Sequence, residues 1–83
     1  MNWNLLVTKN AKKEIDRLPE RDQRKIEAAF DNMAVDPFRG DIKRIHPSGW
    51  RSRVGSYRIF LDLYMEERRI VVTAVRRRTS TTY

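Results

Sequence analysis

The dipeptide Gly55-Ser56 constrains the fold of this chain more than any other feature of its sequence. It separates two runs in which apolar and polar residues alternate, as they do in β-strands. A two-residue loop that begins with glycine is typical of a type II′ turn between antiparallel strands. Such a turn fixes the register of the hairpin, and it places Arg53 directly opposite Arg58.

Because side chains alternate across a strand, this register gives the hairpin two different faces. One face is mostly apolar and consists of Trp50, Ser52, Val54, Tyr57, Ile59, Leu61 and Leu63. The other face is mostly basic or aromatic and consists of Arg51, Arg53, Arg58, Phe60, Asp62 and Tyr64. We expect helices to cover the apolar face and the basic face to remain open.

The opposed pair Arg53 and Arg58 suggests an anion-binding site. Like charges directly across a sheet are destabilising, and Arg51 adds a third positive charge to the same face. Two arginines that simply extend into water are the alternative. We favour an anion bound between them, because the repulsion is otherwise uncompensated.

The rest of the pattern predicts a single α+β domain over residues 1–83. Alternation in residues 3–8 indicates a first strand, and Thr8 or Asn10 can cap the helix that follows. Pro19 separates two helices and Pro37 ends the second. We expect an N-terminal strand and a helical hairpin packed on a small antiparallel sheet of about four strands. Residues 38–49 are predicted to form a loop with a short strand at 42–45.

The positive charge is concentrated in the second half of the chain. Residues 1–40 contain 8 basic and 7 acidic side chains, whereas residues 41–83 contain 10 basic and 4 acidic ones. Nine of those ten basic residues are arginine, whose planar guanidinium group binds phosphate through two hydrogen bonds. This asymmetry favours a polyanionic partner such as RNA.

Several classes of protein are disfavoured by what the sequence lacks. It contains no cysteine, zinc-ligand spacing, phosphate-binding glycine loop or serine–histidine–acid set, so we expect neither a metal nor another cofactor. It also shows no signal peptide and no apolar run of membrane-spanning length. We therefore expect a soluble cytoplasmic protein with no membrane partner.

Two segments resemble the RelE/ParE superfamily of toxins. Residues 50–59, WRSRVGSYRI, are similar to its R-x-R-x-G-x-Y-R segment. Residues 74–78, AVRRR, followed by Tyr83, are similar to its last strand, which ends in arginine and precedes a tyrosine. The predicted order of strands and helices is similar too, so the resemblance covers nearly the whole chain.

The resemblance implies a toxin that a cognate antitoxin neutralises. RelE-type members cut mRNA in the ribosomal A site without a metal, through attack of the 2′-hydroxyl on the adjacent phosphate. The implied partners are the antitoxin, the ribosome and mRNA, and the toxin–antitoxin complex is expected to bind operator DNA. On physical grounds too, we expect a domain of this size to leave an apolar groove uncovered at Trp3, Leu5, Phe38 and three aliphatic residues of the last strand, which an antitoxin helix could fill.

The resemblance also assigns roles to individual residues. Arg51 and Arg53 match two basic positions of the first hairpin strand, and Arg58 matches the arginine that stabilises the phosphate. Arg77 matches the proposed general acid, although the loose alignment of the tail leaves this role open to Arg76 or Arg78. Tyr83 matches a tyrosine that orients or stacks the RNA. The further residues expected to bind RNA are Lys43, Arg44, Arg76, Arg78 and Phe60.

Two alternatives stay open. Arginine is a poor general base, so Arg51 and Arg53 depart from the lysines of the best-known members. His46 lies in the predicted loop and is interpreted as a surface histidine. A ParE-like inhibitor of DNA gyrase, or an RNA-binding module without catalysis, therefore remains a competing interpretation.

Overall fold

The computed structural model describes residues 2–77, which form five strands and two helices. The elements are, in order, β1 (Asn4–Val7), α1 (Lys9–Asp16), α2 (Glu20–Val35), β2 (Ile42–His46), β3 (Gly49–Val54), β4 (Tyr57–Tyr64) and β5 (Arg69–Arg77). Within this part of the chain, neither helix is both long and apolar enough to cross a membrane.

The strands form one sheet in the order β1-β5-β4-β3-β2. The predicted α+β class is confirmed, but the sheet has five strands instead of about four. It is mixed, because β1 joins the edge parallel to β5 while the other pairs are antiparallel. A parallel pair requires a long connection, and the two helices lie in the connection that leads away from β1.

The β3–β4 hairpin has the register that the sequence predicted. Val54 pairs with Tyr57, and Arg53 pairs with Arg58. Gly55 has a φ of 57°, which an L side chain rarely adopts, and Ser56 has no positive φ. This combination is the one that a type II′ turn requires.

One face of the sheet is covered by the helices. Ala11 and Ile15 of α1 and Ile26 and Met33 of α2 are buried in the same core as six apolar side chains of the sheet. These six are Ile59, Leu61, Leu63, Ile70, Val72 and Val75. The Tyr57 hydroxyl, also on this covered face, donates a hydrogen bond of 2.5 Å to the Asp22 carboxylate in the first turn of α2.

Two side chains of the N-terminal region occupy the edge of β5. The Thr8 hydroxyl donates a 3.4 Å hydrogen bond to the Thr73 carbonyl of β5, and it caps α1 by accepting a hydrogen bond from the Ala11 N–H. The pairing of β1 with β5 ends at Val72. Farther along, the Val75 N–H donates instead to the Glu14 carboxylate at 2.9 Å. The Glu14 side chain thus accepts a hydrogen bond from a backbone N–H at the edge of β5, beyond the point where β1 stops pairing with it.

A β-bulge interrupts the pairing of β4 with β5. Leu61 pairs with Val72, whereas Phe60 pairs with Ala74, so Thr73 is the extra residue. The Thr73 hydroxyl donates a 3.2 Å hydrogen bond to the Phe60 carbonyl. A bulge of one residue exchanges the two faces of the strand that follows it, and this determines which arginine of β5 reaches the candidate site.

Candidate functional site

The sheet face opposite the helices, here called the open face, brings together arginines from three adjacent strands. Arg58 on β4 lies between Arg53 on β3 and Arg76 on β5. Arg51 lies two residues farther along β3, on the same face. We call these four residues, Arg51, Arg53, Arg58 and Arg76, the arginine cluster.

Two members of the arginine cluster have donors that the protein leaves unused. The Nε atoms of Arg51 and Arg58 are buried, and among residues 2–77 neither atom has a hydrogen-bond partner. Buried polar groups are nearly always hydrogen-bonded, and an arginine Nε can only donate. No acceptor among the described residues therefore holds either guanidinium group through its Nε atom.

The carboxylates near the arginine cluster neutralise it only in part. Asp41 lies 3.9 Å from Nη1 of Arg53, and Glu14 lies 3.6 Å from Nε of Arg76. Exposed ion pairs of this length contribute little to stability and are screened by salt. Among the described residues, no carboxylate is paired with Arg51 or Arg58. The cluster therefore keeps a positive field.

Phe60 and Lys43 extend the basic surface along the next row of the sheet. Both lie opposite Arg51, Lys43 on β2 and Phe60 on β4. The guanidinium carbon of Arg76 lies 6.0 Å from the centre of the Phe60 ring, within the range of a cation–π contact. An aromatic ring flanked by cations is a surface on which a nucleobase can stack.

A cleft of about 260 Å³ lies beside the arginine cluster. His46, Phe60, Asp62 and Arg76 contribute polar or aromatic side chains to its lining. His46 is the last residue of β2 and pairs with Gly49 of β3. The predicted loop histidine is thus part of the sheet, and the glycine opposite it is buried.

Two of the predicted basic residues lie away from the arginine cluster. Arg77 pairs with Tyr57, which places it on the covered face. Arg44 pairs with Trp50; its guanidinium lies 5.8 Å from the centre of that indole ring and donates to the Pro47 carbonyl at 2.6 Å. Arg78 and Tyr83 lie outside the described residues. Of the two tail arginines within residues 2–77, Arg76 is the one placed beside Arg58.

Tyr57 is the titratable group whose environment differs most clearly from water. The hydrogen bond to Asp22 raises the pKa of Tyr57 above its ordinary value, and burial of the phenol adds to the effect. The positive charge of Arg77 acts in the opposite direction. The interaction joins α2 to β4 and is structural, since it lies on the covered face.

The described residues offer no evident metal site: within 2–77, no three His, Cys, Asp or Glu side chains come together. The sequence interpretation missed Glu14, and it placed His46, which is exposed, in a loop instead of in β2. The spacing in α1 did not reveal that Glu14 reaches β5. For His46, the signal was its position four residues after Ile42 in a segment already predicted to be partly strand.

Comparison with known structures shows that this fold has been observed before. The RelE–RelB complex of Pyrococcus horikoshii OT3 contains a chain that is 18% identical, with a TM-score of 0.86 over 98% of this chain and 100% of that chain. The RelBE2 toxin–antitoxin complex of Mycobacterium tuberculosis gives 23% identity and a TM-score of 0.82 over 94% of this chain and 93% of that chain. The isolated RelE toxin of E. coli is 16% identical, with a TM-score of 0.78 over 95% of this chain and 87% of that chain.

These identities are low, so the similarity demonstrates the fold alone. A sequence search of curated proteins found no match. A family model described as the ParE toxin of type II toxin–antitoxin systems matches residues 5–81, which is nearly the entire chain. The chain therefore belongs to the ParE toxin family, within the RelE/ParE superfamily of type II toxin–antitoxin systems.

Proposed function

We propose that this type II toxin is an endoribonuclease that cuts mRNA in the ribosomal A site. The observation that carries the proposal is the pair of Nε donors of Arg51 and Arg58 on the open face, which are buried and have no partner within residues 2–77. A surface that only had to be soluble would expose these groups to water. Two arginines that no described carboxylate neutralises, on one face of the sheet, support a ligand with oxygen acceptors and negative charge, as the RNA backbone has.

The reaction we propose needs no metal. The 2′-hydroxyl oxygen attacks the neighbouring phosphorus atom and the bond to the 5′-oxygen breaks, which leaves a 2′,3′-cyclic phosphate and a 5′-hydroxyl. Negative charge accumulates on the phosphate oxygens in the transition state. Fixed donors aimed at such oxygens are commonly the largest contribution to catalysis.

We assign each arginine a position in this reaction, and the sheet register supports the assignment. Arg58, in the middle of its row, would contact the scissile phosphate, with Arg53 and Arg76 on either side. Arg51 would bind the same phosphate or the next one. The role that the family resemblance gives to the arginine at the end of the last strand falls to Arg76, because Arg77 lies on the covered face. A role for Tyr83 in stacking the RNA remains a prediction.

We also infer a cognate antitoxin for this chain. Two of the similar structures are complexes with antitoxins, RelE–RelB and RelBE2. The surface of this protein exposes several large apolar side chains that a partner could cover, namely Leu6, Val35, Phe38, Ile45 and Met65. Action on the ribosome would place the toxin in the cytoplasm. We also propose that the toxin–antitoxin complex binds operator DNA.

Inhibition of DNA gyrase is the second candidate function. It is favoured by the family model, which carries the ParE name, and by the arginines that stand in place of lysines at Arg51 and Arg53. An inhibitor would use the basic surface for binding without cleaving RNA.

The deciding experiment is mRNA cleavage on programmed ribosomes, mapped by primer extension, with gyrase supercoiling assayed in parallel. Arg58→Ala tests the site, and Arg21→Ala on the exposed surface of α2 is the matched control. Cuts in phase with codons that Arg58→Ala abolishes and Arg21→Ala preserves would support the ribonuclease. Loss of supercoiling without RNA cuts at protein excess would replace it with the gyrase inhibitor.

A further inference from the structure

Glu14 joins α1 to the last strand at the point where that strand brings Arg76 to the arginine cluster. One carboxylate oxygen, Oε1, accepts the Val75 N–H at 2.9 Å, and the other, Oε2, lies 3.6 Å from Nε of Arg76. The hydrogen bond to the strand edge uses only Oε1, so the contact of Oε2 with Arg76 is a separate interaction. One side chain therefore contacts both the backbone of β5 and a guanidinium group of the cluster.

The position of Glu14 is determined by the packing of α1. Ala11 and Ile15, on either side of it in the helix, are buried in the core. At the start of the helix, the Thr8 hydroxyl donates to the Thr73 carbonyl at 3.4 Å. The helix is thus attached to β5 at the bulge and, through Glu14, again beyond the bulge.

Glu14 pairs with Arg76 although other cations are near it. Lys13, Glu14, Arg17 and Arg76 line one cleft of about 270 Å³ between α1 and β5. Within residues 2–77, Arg76 is the one cation that forms an ion pair with Glu14. The Glu14 side chain is 32% exposed and that of Arg76 is 69% exposed, so the carboxylate is the better fixed of the two groups.

Arg76 has a second contact, on the face of its guanidinium group. The guanidinium carbon lies 6.0 Å from the centre of the Phe60 ring. A long exposed side chain otherwise samples many rotamers, and ordering it costs entropy. The contact with Glu14 uses Nε, and the contact with Phe60 uses the guanidinium plane. The edge formed by Nη1 and Nη2 remains for a phosphate, which arginine can bind through two parallel hydrogen bonds.

We propose that Glu14 is the positioning residue for Arg76, a role that rests on the proposed ribonuclease function. The carboxylate holds Nε of Arg76 toward α1, so that Nη1 and Nη2 are presented to the phosphate bound by Arg58 on the neighbouring strand. Glu14 does not itself contact the RNA, because its negative charge repels phosphate. It therefore weakens RNA binding and raises the rate of cleavage, and these two effects can be measured separately.

The first test is Glu14→Gln, which removes the charge and keeps an oxygen that accepts the Val75 N–H. Single-turnover mRNA cleavage on programmed ribosomes is measured over a range of concentrations of the full-length toxin. We expect the maximal rate to fall by about threefold to tenfold, because Arg76 is present but no longer oriented. The half-saturating toxin concentration should stay the same or fall, since the positive charge rises by one. Glu27→Gln, on the exposed surface of α2, makes the same change in charge and should keep the maximal rate.

The second test is a double-mutant cycle with Arg76→Ala. In that background Glu14→Gln should change the maximal rate by less than about 1.5-fold, because the group that Glu14 positions is absent. Glu14→Ala, which also removes the hydrogen bond to Val75, should be less stable than Glu14→Gln in urea unfolding. Circular dichroism of each variant verifies that the fold is retained.

The outcomes distinguish this proposal from the ribonuclease itself. If the wild type cleaves and Glu14→Gln keeps its maximal rate within about 1.5-fold, Glu14 does not position Arg76, while the ribonuclease stands. An equal loss of rate with and without Arg76 would also overturn the proposal, since it would show a structural role only. If the wild type makes no cuts at all, both proposals fall.

Discussion

The two faces of the sheet differ in how completely the protein satisfies its own polar groups. On the covered face, the Tyr57 hydroxyl is paired with Asp22, and the apolar side chains around it are buried against the helices. On the open face, Arg51 and Arg58 keep buried donors that no described residue accepts, and Arg58 lies between two further arginines.

This difference shows that the two faces respond to different requirements. The covered face is arranged for stability, because burial of apolar surface drives folding and its polar groups are hydrogen-bonded. The open face carries like-charge repulsion and, among the described residues, unpaired buried donors, both of which cost stability. Substitutions on the covered face should therefore alter unfolding, whereas those on the open face should alter activity.

The largest effect is expected from a cavity on the covered face. Ile59 is fully buried, and Ile59→Ala should lower the free energy of unfolding by about 2–5 kcal/mol. Tyr64→Ala, an exposed position on the open face of the same strand, should cost about 1 kcal/mol or less. Urea unfolding followed by circular dichroism measures both. Equal losses would contradict the distinction between the faces.

Arg58→Ala should separate stability from activity. We expect mRNA cleavage to fall by about 10²–10³-fold, as it does when a preorganised donor to the transition state is removed. Stability should stay the same or rise, because the change removes a like-charge pair and a buried unpaired donor. Arg58→Lys, which keeps the charge and loses the planar donor geometry, should recover only part of the activity. A large loss of stability would show that Arg58 is structural.

Alanine variants of Arg76 and Arg77 test the assignment of Arg76, and not Arg77, to the arginine cluster. A larger loss of cleavage for Arg77→Ala than for Arg76→Ala would disprove it. Arg76→Ala should reduce cleavage by about tenfold or more, the value of one charge-assisted contact, and Arg77→Ala by less than about threefold. The reason is that Arg76 lies opposite Arg58 and Arg77 lies opposite Tyr57. The two variants carry the same change in net charge, so each controls for the other in the ribosome assay.

The smallest effect is expected for the hydrogen bond that ties α2 to β4. Tyr57→Phe should lower the free energy of unfolding by about 1–2 kcal/mol, because Asp22 loses a charge-assisted partner but remains partly solvated. Tyr64→Phe, at an exposed hydroxyl, is the matched control. No difference between the two variants in urea unfolding would count against the bond.

The same pair of variants tests a pH effect. Since the pKa of Tyr57 is raised in the folded protein, its contribution is complete below the unfolded value of about 10 and is lost as the pH rises through the folded value. The wild type should therefore lose stability above about pH 10 more steeply than Tyr57→Phe does. Identical slopes for both proteins would contradict this prediction.

Much of the fold was predictable because its signals are local. The turn at Gly55-Ser56 sets the hairpin register by backbone geometry. Pro19 can open the second helix because a proline there loses no hydrogen bond, and Pro37 ends it by disfavouring the helical conformation of Asp36. The pairing of β1 with β5 was not predictable in the same way, because it joins residues more than 60 positions apart in the sequence. The four residues of β1 contain no signal that identifies β5 as the partner strand.

The sequence by itself determined that Arg51, Arg53 and Arg58 share one face, because a two-residue turn and the alternation of a strand leave no other arrangement. It did not determine which arginine of the last strand joins them. The bulge at Thr73 made that choice. Simple alternation from Ile70 and Val72 would bury Ala74 and turn Arg77 toward the open face. In the structure the extra residue lets the larger Val75 enter the core, and Arg76 is placed beside Arg58 as a consequence. Core packing decides this position, and packing depends on which side chains the helices bring to the sheet.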